Sequence, residues 1–534
     1  MAMESLEREI KLGVDLRFQM PDLTAAATGL KVVPRPVLRL AATYYDTPDL
    51  QLLRRGITLR RREDRLAGSE NLWTLKLPAG TPHAHLARNE HSWSGELPEI
   101  PEEARFLVHG LVRHSDIVIV AKLLTTRRRA EVVDGDGERL AEVDDDVVSV
   151  MSGVRQGLRF REIEIELGET GDDIARSLVT LLCEAGATLG DKLPKLDRAM
   201  SLGRRRTFDV DEVGPDSSVE DLLRFEIATG VDRLLDHDPG LRVGGSDIEY
   251  VHQARVATRR LRSDLRTFAK LLDPTWTIRI RDDLKWLGAV LGAVRDADVL
   301  DENLTLQAAG SAPNDAPAFA ALHAELHRQR QRARSDLLGA IETERYFDLL
   351  DDLAAAVANP PVRAPAPDRA GPLGEQDEED GDREEEGRDG PHRPGIEPSA
   401  PAALVLHDLL RRPWRQLRQA VRTAGAHPTD EQLHRIRIRS KQLRYAAEAA
   451  VPVMGTPARR LGERASELQT VLGDLHDALA AEAWLRDAAT AGTPSQAFAA
   501  GQLVVREQQR QVELRHNWHR SWKALAKQAR RTHL

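Results

Sequence analysis

The sequence predicts an α+β multidomain protein. A strand-rich N-terminal half would form an antiparallel sheet or barrel, and the C-terminal half would be all-α, built from two duplicated helical bundles. Three observations carry this reading. Residues 1–204 hold repeated runs in which alternate positions are charged, the period of a strand. From Ser218 onward, long stretches rich in Ala, Leu and Arg replace them. Within that half, two segments repeat each other at a kept spacing. At 534 residues the chain also exceeds what one hydrophobic core supports, so two or more domains are expected.

The alternating runs are Leu6–Leu12, Ile57–Arg62, Leu72–Leu77, Arg139–Asp144 and Phe160–Leu167, while Ile174–Ala187 has helical spacing. Glu7, Glu9 and Lys11 share one strand face, as do Arg60 and Arg62. Lys76 ends "WTLK", and Arg88 and Glu90 stand in "RNE". Arg127 and Arg129 flank a third arginine, Glu142 and Asp144 alternate, and Glu162, Glu164 and Glu166 alternate with Ile163, Ile165 and Leu167. A half-buried strand with its charged face in water would explain any one of these. Seven such faces, almost free of Ser, Thr, Asn and Gln, favour a closed barrel with charges lining the inside. With Lys195 and Arg198 the faces hold nine bases and eight acids. Enclosing ions costs several kcal/mol for each one left unpaired. Such an interior therefore needs balanced signs or a charged ligand. Divalent cations on the carboxylates and phosphates on the bases would satisfy both sets.

In the helical half, Arg255, Arg259 and Arg262 follow His252 at +3, +7 and +10, offsets that keep side chains on one helix face. His434, Arg437, Lys441 and Arg444 use the same offsets. The copies read "VHQARVATRRLRSDLRTF" then "LGAVRDADVL", and "LHRIRIRSKQLRYAAEAA" then "LGDLHDALAA". His252 to Asp296 spans 44 residues, and His434 to Asp477 spans 43. A solvated basic face is the ordinary explanation of one such stripe, but here it would have to arise twice, histidine included. A polyanion would turn the repulsion within each stripe into attraction. Asp296, Asp298 and Asp477 are placed to pair with these bases, and Arg328, Arg332, Arg506 and Arg510 are candidates to extend them. No second ligand stands four residues from either histidine, which argues against a metal there.

Residues 205–217 read as a polar linker with Gly214 and Pro215, and 218–534 as the helical domain. An insert at 359–402 interrupts that domain with Pro, Gly, Asp and Glu, a composition expected to be disordered. Between Asp368 and Gly390 stand eleven acids and three arginines, a local charge of −8. The net charge of −9 thus belongs mostly to the insert, and basic surfaces elsewhere are hidden in the total. Nothing approaches 18 uninterrupted apolar residues, and Met1–Lys11 holds no apolar signal core, so no membrane partner is expected. The single cysteine, Cys183, excludes an intrachain disulfide and a cysteine-rich zinc site, and is consistent with the cytoplasm.

The ordered set of motifs in the first half resembles the CYTH family, the triphosphate tunnel metalloenzymes. It comprises Glu7-x-Glu9-x-Lys11, "TYYDTPD" at Thr43–Asp49, "LRRRE" at Leu59–Glu63, "WTLKLP" at Trp73–Pro78, "EIEIEL" at Glu162–Leu167 and "KLPKLDRAM" from Lys192. The resemblance implies an eight-stranded antiparallel tunnel with helices outside, spanning 1–204, that acts on triphosphates with Mg2+ or Mn2+. It implies metal ligation by Glu7, Glu9, Glu162 and Glu164, with Glu142 and Asp144 as acidic partners. It implies phosphate binding by Lys11, Arg60, Arg62, Lys76, Arg88, Arg127, Arg129, Lys195 and Arg198. It implies an acid/base pair of Lys76 and Tyr44, although a phosphate clamp and a packed aromatic are equally plain readings of those two. The second half resembles the CHAD domain, which implies binding of inorganic polyphosphate in a basic channel between two four-helix halves.

These expectations combine into a metal-dependent inorganic triphosphatase tethered to a polyphosphate-binding module, with inorganic triphosphate and polyphosphate as partners. The competing readings are a non-catalytic protein that binds polyphosphate and targets granules, and a triphosphatase or cyclase acting on an organic triphosphate. At 4% aromatic content the chain is short of the stacking platforms that single-stranded nucleic acid uses.

Overall fold

The computed structural model describes residues 3–64, 72–78, 86–94, 99–168, 172–190, 193–201, 207–208, 210–243, 248–308, 315–363 and 398–534. Two compact units emerge: residues 1–209 with 235–250, and residues 210–234 with 251–534.

The strands of the first unit are β1 (Met3–Val14), β2 (Lys31–Pro34), β3 (Leu38–Asp46), β4 (Thr58–Asp64), β5 (Leu72–Pro78), β6 (Leu86–Ser94), β7 (Val118–Val133), β8 (Arg139–Ser152), β9 (Arg159–Leu167) and β10 (Thr188–Leu189). Its helices are α1 (Gln51–Arg54), α2 (Glu102–Val112), α3 (Asp172–Glu184) and α4 (Lys195–Met200). Eight strands run in the order β1-β6-β5-β4-β3-β7-β8-β9, all antiparallel, and β9 pairs back onto β1 to close the barrel. The eight-stranded tunnel expected from the motifs is therefore present. β2 and β10 extend β7 and β1 outside the closed circuit.

Closure follows from the alternation. Ile163, Ile165, Leu12 and Val143 point outward and are buried under α3, through Ile174, Leu178 and Leu182. Trp73 and Trp93 are also buried, and the Trp93 indole N–H donates to Glu103 of α2 (2.6 Å). With the apolar face covered from outside, the charged face has only the inside to occupy. That inside is not charged throughout, as the sequence had suggested. Ala42, Tyr44, Ala121, Leu123, Val148 and Val150 pack inside with Leu196, Ala199 and Met200 of α4, which closes one end.

The "TYYDTPD" motif makes a turn. The buried Asp46 carboxylate accepts from the backbone N–H groups of Thr47, Leu52 and Leu53 and so holds the start of α1. Burial pushes its pKa up to about 6 despite those bonds.

The second unit holds α5 (Val219–Arg242), whose last residues belong to the first unit, then α6 (Ile248–Thr267), α7 (Pro274–Ala308), α8 (Ala316–Ala340) and α9 (Glu344–Ala358). After the insert come α10 (Ala402–Ala424), α11 (Asp430–Ala449), the single turn α12 (Val451–Met454), α13 (Thr456–Ala491) and α14 (Pro494–Arg531). The duplicated segments lie on α6 and α7 and on α11 and α13. Capping boxes start α11 (Thr429 with Gln432) and α14 (Thr493 with Gln496). The two copies share one core, in which Leu304, Phe319, Leu322 and Leu326 pack with Leu485, Leu503 and Val504. Most of the insert lies outside the described residues. Its described ends are paired, Val362 with Leu272 and Pro401 with Ser218.

Leu178 is fully buried between α3 and the barrel, so Leu178→Ala should cost about 2–5 kcal/mol. Urea titration followed by tryptophan fluorescence should show the lowered midpoint, whereas the exposed Glu184→Ala should change it little.

Candidate functional site

The tunnel interior is an ion-pair network assembled by strand register. Asp144 stands opposite Arg129 on β7 and Glu164 on β9, and Asp146 stands opposite Arg127 and Glu162. Lys11 stands opposite Glu164, and Glu7 opposite Arg88.

Glu164 sits among Lys11 (2.7 Å), Lys195 (2.7 Å) and Arg127 (2.8 Å). Burial disfavours its charge, but these three cations outweigh burial and hold it well below the usual carboxylate range. Arg127 also grips Asp146 through two bonds (2.8 and 2.6 Å) and touches Asp144. Arg129 donates twice to Asp144 (2.8 and 2.9 Å) and pairs with Glu142 (2.8 Å). From α4, Lys195 reaches Asp146 and Glu162 (3.0 Å each), and Arg198 reaches Glu162 (3.1 Å). Lys76 donates to both oxygens of Glu7 (2.6 Å each) and pairs with Glu90 (3.0 Å). Burial works against the Glu90 charge, yet Lys76 and Arg60 hold it down at about 2. Glu9 lies 3.3 Å from Lys11, and Arg88 is buried.

Two places are out of balance. Oxygens of Glu142, Asp144 and Glu166 all lie within 4.8 Å of one another. Burial, then repulsion from Glu7, Glu142 and Asp144, pushes Glu166 up to about 7. The opposite surplus is at Arg62, which stands near Arg60 and Arg127. Burial, then repulsion from Arg60 and Arg127, lowers Arg62 to about 10. Arg60 hydrogen-bonds the buried Tyr44 hydroxyl. Among the described residues no bond joins Tyr44 to Lys76, the pair expected to act together.

The fifteen acids and bases expected in the tunnel, and the tyrosine, are thus inside it, but their groupings differ from expectation. Glu162 and Glu164 are neutralised by bases, whereas Glu142 and Asp144 are grouped with Glu166. Sequence reasoning had placed Glu166 and Glu90 on charged faces without a role and had missed Asp146. Asp146 was masked by the run Asp144-Asp145-Asp146. Its middle member points outward, to Arg161 (2.7 Å) and the exposed Arg128 (3.7 Å).

In the helical unit the two basic stripes meet. Arg255 and Arg259 of α6 lie close enough to Arg437 and Lys441 of α11 to depress their pKa values, and Arg444 acts likewise on Arg259. Burial, then Arg437, Arg259 and Arg255, lowers Lys441 from 10.5 to about 7. Few acids offset these bases. Arg255 bonds Asp296 (2.7 Å), Arg437 feels Asp477, and Arg444 bonds Glu448 (2.7 Å). Asp298, expected to join them, is buried against Arg330 of α8 instead (2.6 Å). Gly292 of α7 and Gly473 of α13 leave room for the guanidinium groups. A Cβ would lie 3.6 Å from Arg255 at the first and 3.9 Å from Arg437 at the second. His252 is half-buried, and His434 is exposed with its ring 5.0 Å from His476. Arg262 is exposed at the end of its stripe. Of the four proposed extensions, Arg328 is tied to Glu325 and Arg506 to the Gln307 carbonyl.

A closed barrel lined by ion pairs, with one surplus of carboxylates and one of arginines, defines a triphosphate tunnel domain, here followed by a duplicated helical module. The chain belongs to the CYTH family, with a CHAD domain after it: the CYTH domain matches residues 5–196 and the CHAD domain residues 227–486. Two uncharacterized proteins of Mycobacterium tuberculosis, from strains CDC 1551 / Oshkosh and H37Rv, are each 30% identical over 498 residues, 89% of this chain and 87% of theirs. Among solved structures, PptA from Streptomyces chartreusis is 22% identical, with a TM-score of 0.43 over 57% of this chain and 100% of its own. The CHAD domain from the plant Ricinus communis is 21% identical, with a TM-score of 0.44 over 59% of this chain and 94% of its own. The CYTH family acts on triphosphate substrates and depends on a metal. No helix of the described residues is long and apolar enough to cross a membrane.

The Lys441 environment sets a pH dependence. Between about pH 7 and 10.5 the unfolded chain binds more protons than the folded one, so stability climbs with pH across that window. Below about pH 7 the penalty is complete. Lys441→Met should therefore raise the Tm of the helical unit at pH 7, and circular dichroism melts at low ionic strength should show the gain shrinking toward pH 10.

Proposed function

We propose that this protein is a metal-dependent inorganic triphosphatase whose CHAD domain holds polyphosphate. The observation that carries the reading is the pair of opposite charge surpluses inside one closed barrel. A surplus of arginines beside a surplus of carboxylates suits a phosphate chain bridged to a hard divalent cation.

The donor set fits the metal. Glu142, Asp144 and Glu166 offer hard oxygen donors close together, the ligands Mg2+ and Mn2+ prefer, and although Arg129 pairs with the first two, burial and the nearby carboxylates still push Glu166 up to about 7. When bound, the metal would neutralise phosphate oxygens and acidify a water. The chain's own residues do the rest. Arg62, short of carboxylates, takes the first phosphate oxygens beside Arg60. Lys11, Arg88, Arg127, Arg129, Lys195 and Arg198 line the remaining path and exchange carboxylate partners for phosphate. Lys76 stands between Glu7 and Glu90, where an ammonium orients the chain and steadies the charge that develops on the departing phosphate. Tyr44 positions Arg60. Glu7, Glu9, Glu162 and Glu164 hold these bases in place.

In the CHAD domain, Arg255, Arg259, Arg437, Lys441 and Arg444, with His252, Arg262 and His434 at the margins, form the grip for polyphosphate. Short of internal acids, the cluster gains most from an external polyanion.

The test is a substrate panel on the full chain: inorganic triphosphate, long polyphosphate, ATP and thiamine triphosphate, each with Mg2+ and Mn2+. Phosphate release should be greatest from inorganic triphosphate, and Lys76→Ala should lower kcat/KM by at least about tenfold. A clear preference for ATP or thiamine triphosphate would overturn the reading. Metal binding should follow Glu166. As protons compete for it below about pH 7, calorimetry should find Mn2+ affinity about tenfold weaker at pH 6 than at pH 8, and Glu166→Gln should flatten that dependence.

A further inference from the structure

Outside both clusters, one more surface of the helical unit is strongly basic. From Leu409 to Ala424, α10 has five arginines and no acid, and the preceding Asp408 stands one turn from Arg411 without pairing with it. Arg411, Arg415, Arg418 and Arg422 fall on one exposed face, about 16 Å long. From Leu514 to Leu534, α14 and the chain end also hold no acid, and Arg520, Lys523, Lys527 and Arg530 again share an exposed face. Trp414 of α10 stacks on Trp522 of α14, with ring centroids 5.5 Å apart, so the two stripes run beside one aromatic junction.

Several exposed arginines elsewhere on this unit pair with acids one turn away. Arg328 pairs with Glu325, Arg464 with Glu467 and Arg486 with Glu482. Arg515, which points into the unit from α14, meets Asp430. Among the described residues no carboxylate pairs with any of the eight stripe cations. Repulsion at i, i+4 is thus left uncompensated twice on adjoining helices. A purely solvating face mixes signs, as α8 and α13 do here.

We propose that these two stripes form a second polyanion-binding surface, on which long polyphosphate chains continue beyond the Arg255–Arg437 cluster. This rests on the reading of that cluster as the polyphosphate grip. A base-free polyanion suits the surface because the neighbouring indoles stack on each other, Trp414 being buried and Trp522 half-buried. The consequence is chain-length dependence. Within the helical unit, chains too short to reach the stripes engage the cluster alone, whereas long ones add the stripes and release more counterions.

The experiment uses the full chain and two variants. One carries Arg411, Arg415, Arg418 and Arg422 changed to Gln, and the other carries Arg255→Glu with Arg437→Glu. Binding of triphosphate and of a polyphosphate of about a hundred units is measured across a salt series. The exposed positions leave the fold intact, which circular dichroism checks. For the Gln variant we expect long-chain affinity at least about tenfold weaker, a log–log salt slope shallower by up to about 3, and unchanged triphosphate binding. The Glu variant should weaken long-chain binding while leaving triphosphate to the tunnel, and if long-chain binding is unchanged in it, the cluster reading falls instead. Unchanged long-chain affinity and slope in the Gln variant would overturn the second surface. So would wild-type preference for single-stranded DNA, or for phosphatidylglycerol vesicles, over polyphosphate, lost in the same variant.

Discussion

Ions taken out of water and enclosed by a β-barrel must be neutralised where they stand, and this constraint organises the first unit. Strand alternation leaves no choice of side. Once Ile163, Ile165 and Leu12 are buried beneath α3, Glu162, Glu164 and Lys11 face inward. A register slip of one residue would reverse every such assignment, exposing the apolar set and burying nothing useful. The pairing of Glu164 with three cations is therefore as much a condition of folding as a feature of a site. It also explains why bases arrive from α4, outside the strand circuit. Lys195 and Arg198 balance Asp146 and Glu162 at the point where the interior turns apolar.

Much of this was legible because charge alternating with β-branched residues has few structural solutions. The closed barrel, its eight strands and the duplicated helices follow from pattern and motif together. What was not legible depended on register and depth. In the runs Arg127-Arg128-Arg129 and Asp144-Asp145-Asp146 every position is charged, so the strand period groups the outer members on one face, as expected for the arginines, but does not by itself say which face is inward. Cross-strand pairing decides it, placing Arg127 opposite Asp146 and Arg128 opposite Asp145. The balance between Glu164 and Glu166 was equally hidden. Both continue one face, but α4 brings Lys195 to the first, whereas carboxylates predominate around the second. The apolar end of the tunnel was unforeseen because Ala42, Tyr44, Leu123 and Val148 read as ordinary strand residues.

In the helical unit the duplication was visible, but its asymmetry was not. Asp296 and Asp477 kept equivalent places, whereas Asp298 has Leu479 as its counterpart and turns to Arg330. The histidines that begin the two stripes differ in exposure, and Arg262 stands clear of the cluster that Arg444 joins. Duplication thus supplied a shared cationic centre, and divergence acted at its margins, where neither copy needs the other. Gly292 and Gly473 belong to the kept part, because a guanidinium crosses the helix surface at each.

The two units handle charge in opposite ways, and the contrast bears on the proposed division of labour. In the tunnel most bases already hold fixed carboxylates, so an incoming phosphate must displace an internal partner at each step. The displaced carboxylates then need a new counter-charge, which a divalent cation supplies. On the proposed reading, phosphate and metal enter the tunnel as mutual requirements, and binding by phosphate alone is weak. The helical cluster has the reverse economy. Burial and mutual repulsion make Arg259, Arg437 and Lys441 poor hosts for their own charge, and an external polyanion relieves that strain without displacing anything. Such a surface captures readily and discriminates little, whereas the tunnel discriminates through every exchange it demands. Joined in one chain, the two properties complement each other: capture where charge is unbalanced, and selection where it is nearly balanced already.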